Sequence, residues 1–374
     1  MRVRCVILVV VGLVLAAAAP ALAWGAKEHI QMTRIAVSRL LAADDTPAAM
    51  KDWLRQAQPQ LPDAAGERDY FLNARVGPVP RGVDGLAYWS VIPDLMVAQG
   101  RDRTVEPFGV AEGALHYVNL ELLQADEGRR TYVGDLSNCP RLDDIPRDMN
   151  DPRWKRAGML PFRVEQSHRV LTEMLRAGRL LDEPGRLPRD EHATRWAGML
   201  AHYVQDGTQP HHATVDYRSA SYLPRPPAAG ASLRGPDVHA DMEWRLGDDD
   251  TAEYPRLRET FWRLLEARLA ADAEPIDFSD PWTSTLKASM DAYRGLPLIG
   301  AAARAAYLDA DGRLRGFDAD AFFGHKGRVG GEEMTLLELK ARQTAIAIRR
   351  TQAAWLAAWR AAYQEREAQK DGRR

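Results

Sequence analysis

His202-Tyr203-Val204-Gln205-Asp206-Gly207-Thr208-Gln209-Pro210-His211-His212 joins a helical pattern that carries metal-ligand side chains to a turn that carries another. His202 and Asp206 are four residues apart, so on a helix they project from one face. Pro210 cannot continue that helix cleanly, and the stop or kink it imposes lets His212 approach from another direction. A second pair at the same spacing, His239 and Glu243, follows after a loop. Imidazole nitrogens and carboxylate oxygens without cysteine suit zinc, and the two oxygens of an aspartate can bridge two ions. The stretch reads as the centre of a multinuclear zinc site carried on helices.

Outward from it, apolar positions recur with the helical period and strand-like alternation is scarce. The period predicts helices near residues 27–42, 47–57, 85–99, 110–123, 162–180, 190–206, 238–247, 252–271, 281–293 and 332–367. The last is the clearest. Trp355, Trp359 and Tyr363 follow at intervals of four and read as a core face, with Arg349, Arg350, Arg360, Glu365 and Arg366 left for solvent. Proline, glycine and charge mark residues 138–156 and 223–236 as long loops, the second including Pro224-Arg225-Pro226-Pro227. The charged tail from Glu365 to Arg374 is expected to fray. No internal repeat and no boundary-like linker interrupts the pattern. The expectation is an all-α fold, a single multi-helix domain with a zinc cluster in a cleft at the helix bundle.

Residues 1–23 stand apart. Arg2 and Arg4 precede an apolar run from Val6 to Ala19, and Ala21-Leu22-Ala23 has the small-x-small pattern of a signal-peptidase site. The run is short for a spanning helix. Residues 1–23 therefore read as a removed signal peptide and 24–374 as the working domain. No transmembrane segment is expected after cleavage, and the destination is the periplasm or the extracellular medium. Cleavage makes Trp24 the first residue, and its freed amino nitrogen and carbonyl oxygen form a chelate that an internal residue cannot offer. His29 follows, at the start of an amphipathic stretch with Met32, Ala36 and Leu40.

Loss of Arg2 and Arg4 takes the formal net charge from −2 to −4. No strong basic field announces nucleic acid, and no acidic excess announces disorder. Cys5 leaves with the leader, too early in it to be a lipoprotein anchor, and Cys139 then has no partner within the chain. Stability is expected from core burial and metal rather than from internal disulfides, in a monomer.

Two further segments set a ligand type inside an apolar run. Ala114-Leu115-His116-Tyr117-Val118-Asn119 does so with a histidine, and Val91-Ile92-Pro93-Asp94-Leu95-Met96 with a carboxylate. A lone histidine there is usually a hydrogen-bonded core residue, but a buried carboxylate is costly unless paired or metal-bound. The ordered set Trp24, His29, Asp94, His116, His202, Asp206, His212, His239 and Glu243 suits three ions with three protein ligands each. Asp206 would bridge, and water would complete the shells. A two-metal enzyme can use most of the same donors. His168, His192 and His325 lack partners at ligand spacing, and His211 sits beside His212, so these read as structural or surface residues.

On these residues the chain resembles the superfamily of trinuclear zinc phosphoesterases that includes zinc-dependent phospholipases C and the S-one/P-one single-strand nucleases. The resemblance runs from Trp24 to about His239–Glu243, with looser similarity in the final helix. Every step of the family pattern is matched in order: an N-terminal Trp, then His, Asp and His, then His-xxx-Asp-xxxxx-His, then His-xxx-Asp or His-xxx-Glu. Asp206-Gly207-Thr208-Gln209-Pro210-His211-His212 is similar to the family's Asp-x-x-Gln-Pro-x-His, its most specific element. The resemblance implies one zinc on His212, His239 and Glu243. A second would sit on Asp94, His116, His202 and one oxygen of Asp206. A third would sit on His29, the other oxygen of Asp206, and the amino nitrogen and carbonyl oxygen of Trp24.

Phosphodiesters resist attack because their anionic oxygens repel nucleophiles and the alkoxide leaves poorly. Paired metal ions activate water and clamp the non-bridging oxygens, while a further ion stabilises the leaving oxygen. Asp94 is the expected base that orients the attacking water or takes its proton, and no covalent nucleophile is needed. Substrate features divide. Trp24-Gly25 with His29 at five residues, and the long His116-to-His202 separation, are similar to the nucleases. Glu243 as last ligand and Ala213 after His212 are similar to the phospholipases. The nucleases' Gly-Gly-Asn is absent from 213–238, and Val97 stands where they often carry Arg.

A phospholipid of the phospholipase C type is the expected substrate, with single-stranded nucleic acid as the alternative partner. Tyr70, Phe71, Tyr88, Trp89, Tyr217 and Tyr222 could stack on bases or box a quaternary ammonium, although such residues are more often packing. A reading of another class is a non-catalytic exported helical protein stabilised by zinc. Structural zinc sites, however, are closed and rich in cysteine.

Overall fold

The computed structural model describes residues 24–73, 83–98, 104–124, 136–180, 191–224, 236–243, 245–246, 254–271 and 273–371. Helix dominates them, and the fold is all-α. In chain order the α-helices are α1 (Ala26–Ala42), α2 (Ala48–Ala57), α3 (Ala64–Asn73), α4 (Gly85–Trp89), α5 (Ile92–Ala98), α6 (Trp154–Ala157) and α7 (Leu160–Leu180). They continue with α8 (Glu191–Asp206), α9 (Val238–Glu243), α10 (Pro255–Ala270), α11 (Pro281–Tyr293), α12 (Leu296–Tyr307), α13 (Ala319–Phe323) and α14 (Leu336–Asp371). Among the described residues, strands pair only in two antiparallel hairpins: β1 (Thr104–Val105) with β2 (Val110–Ala111), and β3 (Lys326–Val329) with β4 (Glu332–Thr335).

Helix α8 is the axis of the molecule. Every residue from Ala197 to Asp206 is buried. A helix enclosed on all sides needs neighbours all round, and α7, α14, α4 and α1 supply them. The closest approach is at Gly198, where an added Cβ would stand 2.4 Å from Trp89 Cβ and 2.7 Å from the Leu86 carbonyl oxygen. Gly198, His202 and Asp206 recur at intervals of four, so the face that admits α4 also carries the ligand types.

Several expected elements differ, each for a local reason. The helix expected over 85–99 is broken into α4 and α5, because Pro93 lacks an N–H and its ring clashes with the carbonyl of Trp89. No α-helix spans 110–123. There β2 leads into 3-10 turns at Glu112–Leu115 and Leu120–Leu123, and the amides of Val118 and Asn119 donate to distant carbonyls, those of His212 (2.8 Å) and Ala157 (2.6 Å). Gly158 (φ +97°) makes that docking possible: a Cβ there would stand 2.3 Å from the Tyr117 carbonyl oxygen.

Helix α9 ends at Glu243 rather than near 247. The segment 332–367 begins as a strand, since Gly330-Gly331, both at positive φ, turn the chain into a hairpin. Thr335 and Glu338 then form a capping box, and α14 starts at Leu336. Helices α3, α12 and α13 were not marked by periodicity. The stretch 138–156 holds 3-10 turns at Leu136–Asn138 and Leu142–Asp144 and the start of α6. Most of 223–236, and the leader 1–23, lie outside the described residues.

The aromatic stripe of α14 is core: Trp355 and Trp359 are buried, and Tyr363 stacks on Trp359 at 4.2 Å. Arg349 and Arg350, expected in solvent, turn inward. Arg349 donates to the carbonyls of Arg268 (2.6 Å) and Ala271 (2.9 Å) at the end of α10, and Arg350 to that of Ser284 (2.7 Å). The Arg268 and Ala271 carbonyls close the C-terminal end of α10, where carbonyls have no partner within the helix, so the Arg349 guanidinium is a suitable cap.

Candidate metal centre

Residues far apart in sequence converge beside the C-terminal end of α8. His29 comes from α1, Asp94 from α5, His202 and Asp206 from α8, and His239 and Glu243 from α9. His116 ends the turn at Glu112–Leu115, and His212 lies in the 3-10 turn Pro210–Ala213. The Val118–His212 backbone bond ties these two turns together. Three groups form, each with ligand atoms within 4.8 Å of one another: His29, His202 and Asp206; Asp94, His116 and His202; His212, His239 and Glu243. All are buried. His29, His202 and Asp206 are fully enclosed, while His116 and His212 keep 5% and 6% exposure and mark the open side.

Asp206 divides its oxygens. Oδ1 lies 3.5 Å from His29 Nε2, while Oδ2 lies 3.0 Å from His116 Nδ1 and 3.2 Å from His202 Nε2. Asp94 faces the same two groups, with Oδ1 3.7 Å from both His116 Nδ1 and His202 Nε2, and Oδ2 3.9 Å from His29 Nε2. In the third group Glu243 Oε1 is 2.6 Å from His239 Nε2 and 3.9 Å from His212 Nε2.

Three imidazoles are oriented from behind through Nδ1, which leaves Nε2 for the centre. His29 Nδ1 pairs with Gln205 Oε1 (2.6 Å), His202 Nδ1 with the Ser90 carbonyl (2.8 Å), and His212 Nδ1 with the His116 carbonyl (2.7 Å). Hydrogen bonds of this kind fix tautomer and ring angle in metal sites. The break at Pro93 thus has a use: it sets Ser90 where its carbonyl meets His202.

The donor set fits metal. His29 Nε2, Asp206 Oδ1 and Glu243 Oε2 are buried with no hydrogen-bond partner. Orphaned buried polar atoms are costly, and one cation in the His29–Asp206 group and another in the Glu243 group would satisfy them. The carboxylates of Asp94, Asp206 and Glu243 among the imidazoles also bring the negative charge that divalent ions neutralise.

The electrostatics agree. Burial pushes His29 well below the usual imidazole range, helped by His202, and brings His212 down to about 3. Burial also opposes charge on His202, but Asp206 and Asp94 outweigh it and push that group up to about 9. His239 is raised likewise, Glu243 overcoming burial. Burial pushes Glu243 up to about 7, although His239 pulls the other way. Positive charge is thus drawn to the imidazoles between the carboxylates.

Trp24 is fully buried, and its indole donates to the Gln205 carbonyl (3.0 Å), next to Asp206. Tyr217 is 40% exposed with its ring 6.1 Å from that of His239, whereas Phe71 packs in the core against Phe261 and Trp262. His211 belongs to none of the three groups and pairs through Nε2 with Ser219 Oγ (3.0 Å). A cavity of about 610 Å³ bordered by Arg34, Leu61, Asp69 and Tyr70 includes none of the candidate ligand residues.

Sequence reading missed the supporting residues: Gln205, Ser90, Gln209, which donates to Glu243 Oε1, and Lys340. Lys340 alone left a trace, a charge on the buried stripe with Leu336, Thr344 and Ala347. No family model, curated protein or solved structure matches the chain.

Proposed function

We propose that the protein is a zinc-dependent phosphoesterase, holding three ions and hydrolysing P–O bonds of phosphodiesters, akin to the phospholipase C and single-strand nuclease superfamily. The observation that carries this reading is Asp206, whose two oxygens are divided between two imidazole groups with a third group alongside. A shared carboxylate suits a multinuclear centre. A closed, cysteine-rich structural site has no use for one. His29 and Asp206 Oδ1, with the amino nitrogen and carbonyl oxygen of Trp24, would hold one ion. Asp94, His116, His202 and Asp206 Oδ2 would hold the next, and His212, His239 and Glu243 the last.

When bound, zinc supplies Lewis acidity that acidifies water and neutralises phosphoryl oxygens. The protein's own part is orientation and proton handling. Gln205, Ser90 and the His116 carbonyl hold three imidazoles in one tautomer, so the donors need no rearrangement. Asp94 stands between the His29 and His116–His202 groups and receives the proton of the attacking water on a carboxylate oxygen. Burial beneath the His116–His212 edge keeps bulk water from screening these interactions.

Glu243 as last ligand, Ala213 and Val97 support a phospholipid phosphodiester. The Trp24-Gly25 start with His29 five residues on supports single-stranded nucleic acid as the second reading. The leader-like residues 1–23 support export. The test is zinc-loaded protein beginning at Trp24, assayed in parallel on phosphatidylcholine vesicles and single-stranded DNA. Lipid cleavage bears out the first reading and DNA cleavage the second. Bound zinc without either activity points to a non-catalytic zinc-stabilised protein.

A further inference from the structure

Lys340 is fully buried, on the first turns of α14 and far in sequence from every ligand residue. Its Nζ donates to the carbonyls of Met242 (2.6 Å) and Glu243 (3.2 Å), pairs with Glu28 Oε1 (2.6 Å), and lies 4.9 Å from the centroid of the Trp24 ring. Glu28 in turn accepts from the Gly25 amide through Oε2 (3.2 Å), closing the first turn of α1. One cation therefore grips the backbone at Glu243 on one side and the Trp24–Glu28 segment, next to His29, on the other. The same helix face supports the centre again at Thr351, whose Oγ1 accepts from Gln205 Nε2 (3.4 Å) while Gln205 Oε1 holds His29.

A buried ammonium is stable only if fully partnered, and here the oxygens that bond it all belong to segments that carry a ligand. We propose that Lys340 is a positioning residue that couples two metal groups, holding the His29 end and the Glu243 end in one geometry so that they load together. This rests on the metal-centre reading above.

The test is zinc titration against a competing chelator for the unaltered protein and for Lys340→Met, with ions per chain, affinity and melting temperature all measured. Arg350→Met serves as control, a cation on the same helix that bonds the Ser284 carbonyl instead. Should Lys340→Met not fold because Glu28 is left buried and unpaired, Glu28→Gln/Lys340→Met removes both charges and takes its place.

The expected result is about a 10- to 100-fold loss of zinc affinity at two sites, the range typical of lost outer-shell support. Arg350→Met should lower the melting temperature and leave affinity unchanged. Unaltered affinity in the Lys340 variant, or a loss confined to one ion, overturns the coupling. An unaltered protein that binds no zinc overturns the metal-centre reading instead.

Discussion

Asp94 presents two oxygens to three imidazoles from a short helix whose first turn holds Pro93. If it takes the proton in the reaction, Asp94→Asn keeps the shape and loses the base. Turnover should fall by about 10²- to 10⁴-fold with the fold retained, as steady-state rates and circular dichroism would record; an unchanged rate removes Asp94 from that role. His202 gives a pH prediction. Its imidazole is pushed up to about 9 by Asp206 and Asp94 against burial, so it is protonated at neutral pH. Ligation needs the neutral ring, so metal uptake must expel that proton, and affinity should rise with pH until about 9. His29 and His212, both lowered, have no proton to release. Titration calorimetry in buffers of different ionisation enthalpy should show net proton release near pH 7, and its absence contradicts the assignment. The ligand types were legible in the sequence because donor chemistry and spacing are local properties. Gln205 and Lys340 were not, since their partners lie 176 and 97 residues away along the chain.

Helices α8 and α4 meet at Gly198, and that contact holds the Ser90 carbonyl against His202. Gly198→Ala inserts a methyl where Trp89 and Leu86 already stand. Overpacking of this kind costs about 1–3 kcal/mol, and it should also loosen His202. We expect a lower melting temperature together with weaker zinc binding. A fall in stability with affinity intact would separate α4 from the centre. Long amphipathic helices such as α1, α7, α8 and α11 were legible, because a burial stripe repeats with the helical period over many residues. Helices α3, α12 and α13 were not. Helix α13 spans Ala319–Phe323, too brief for periodicity to register, and the 112–123 region is held by long-range backbone bonds that an apolar pattern does not encode.

Across the molecule, the candidate centre gathers α1, α5, α8, α9 and two turns around one cluster of buried carboxylates and imidazoles. Ions that bind the folded state and not the unfolded one stabilise by mass action, about 4 kcal/mol for one site at a thousandfold excess over Kd. Chelation should therefore lower the melting temperature, and added zinc should restore it. A melting temperature indifferent to chelator would show that the cluster is stable without ions. The most direct test is the metal content of protein beginning at Trp24, purified without chelator and measured by mass spectrometry of the intact native chain. Close to three zinc ions per chain is the predicted result. A chain that carries no zinc, and takes up none when zinc is offered, contradicts it.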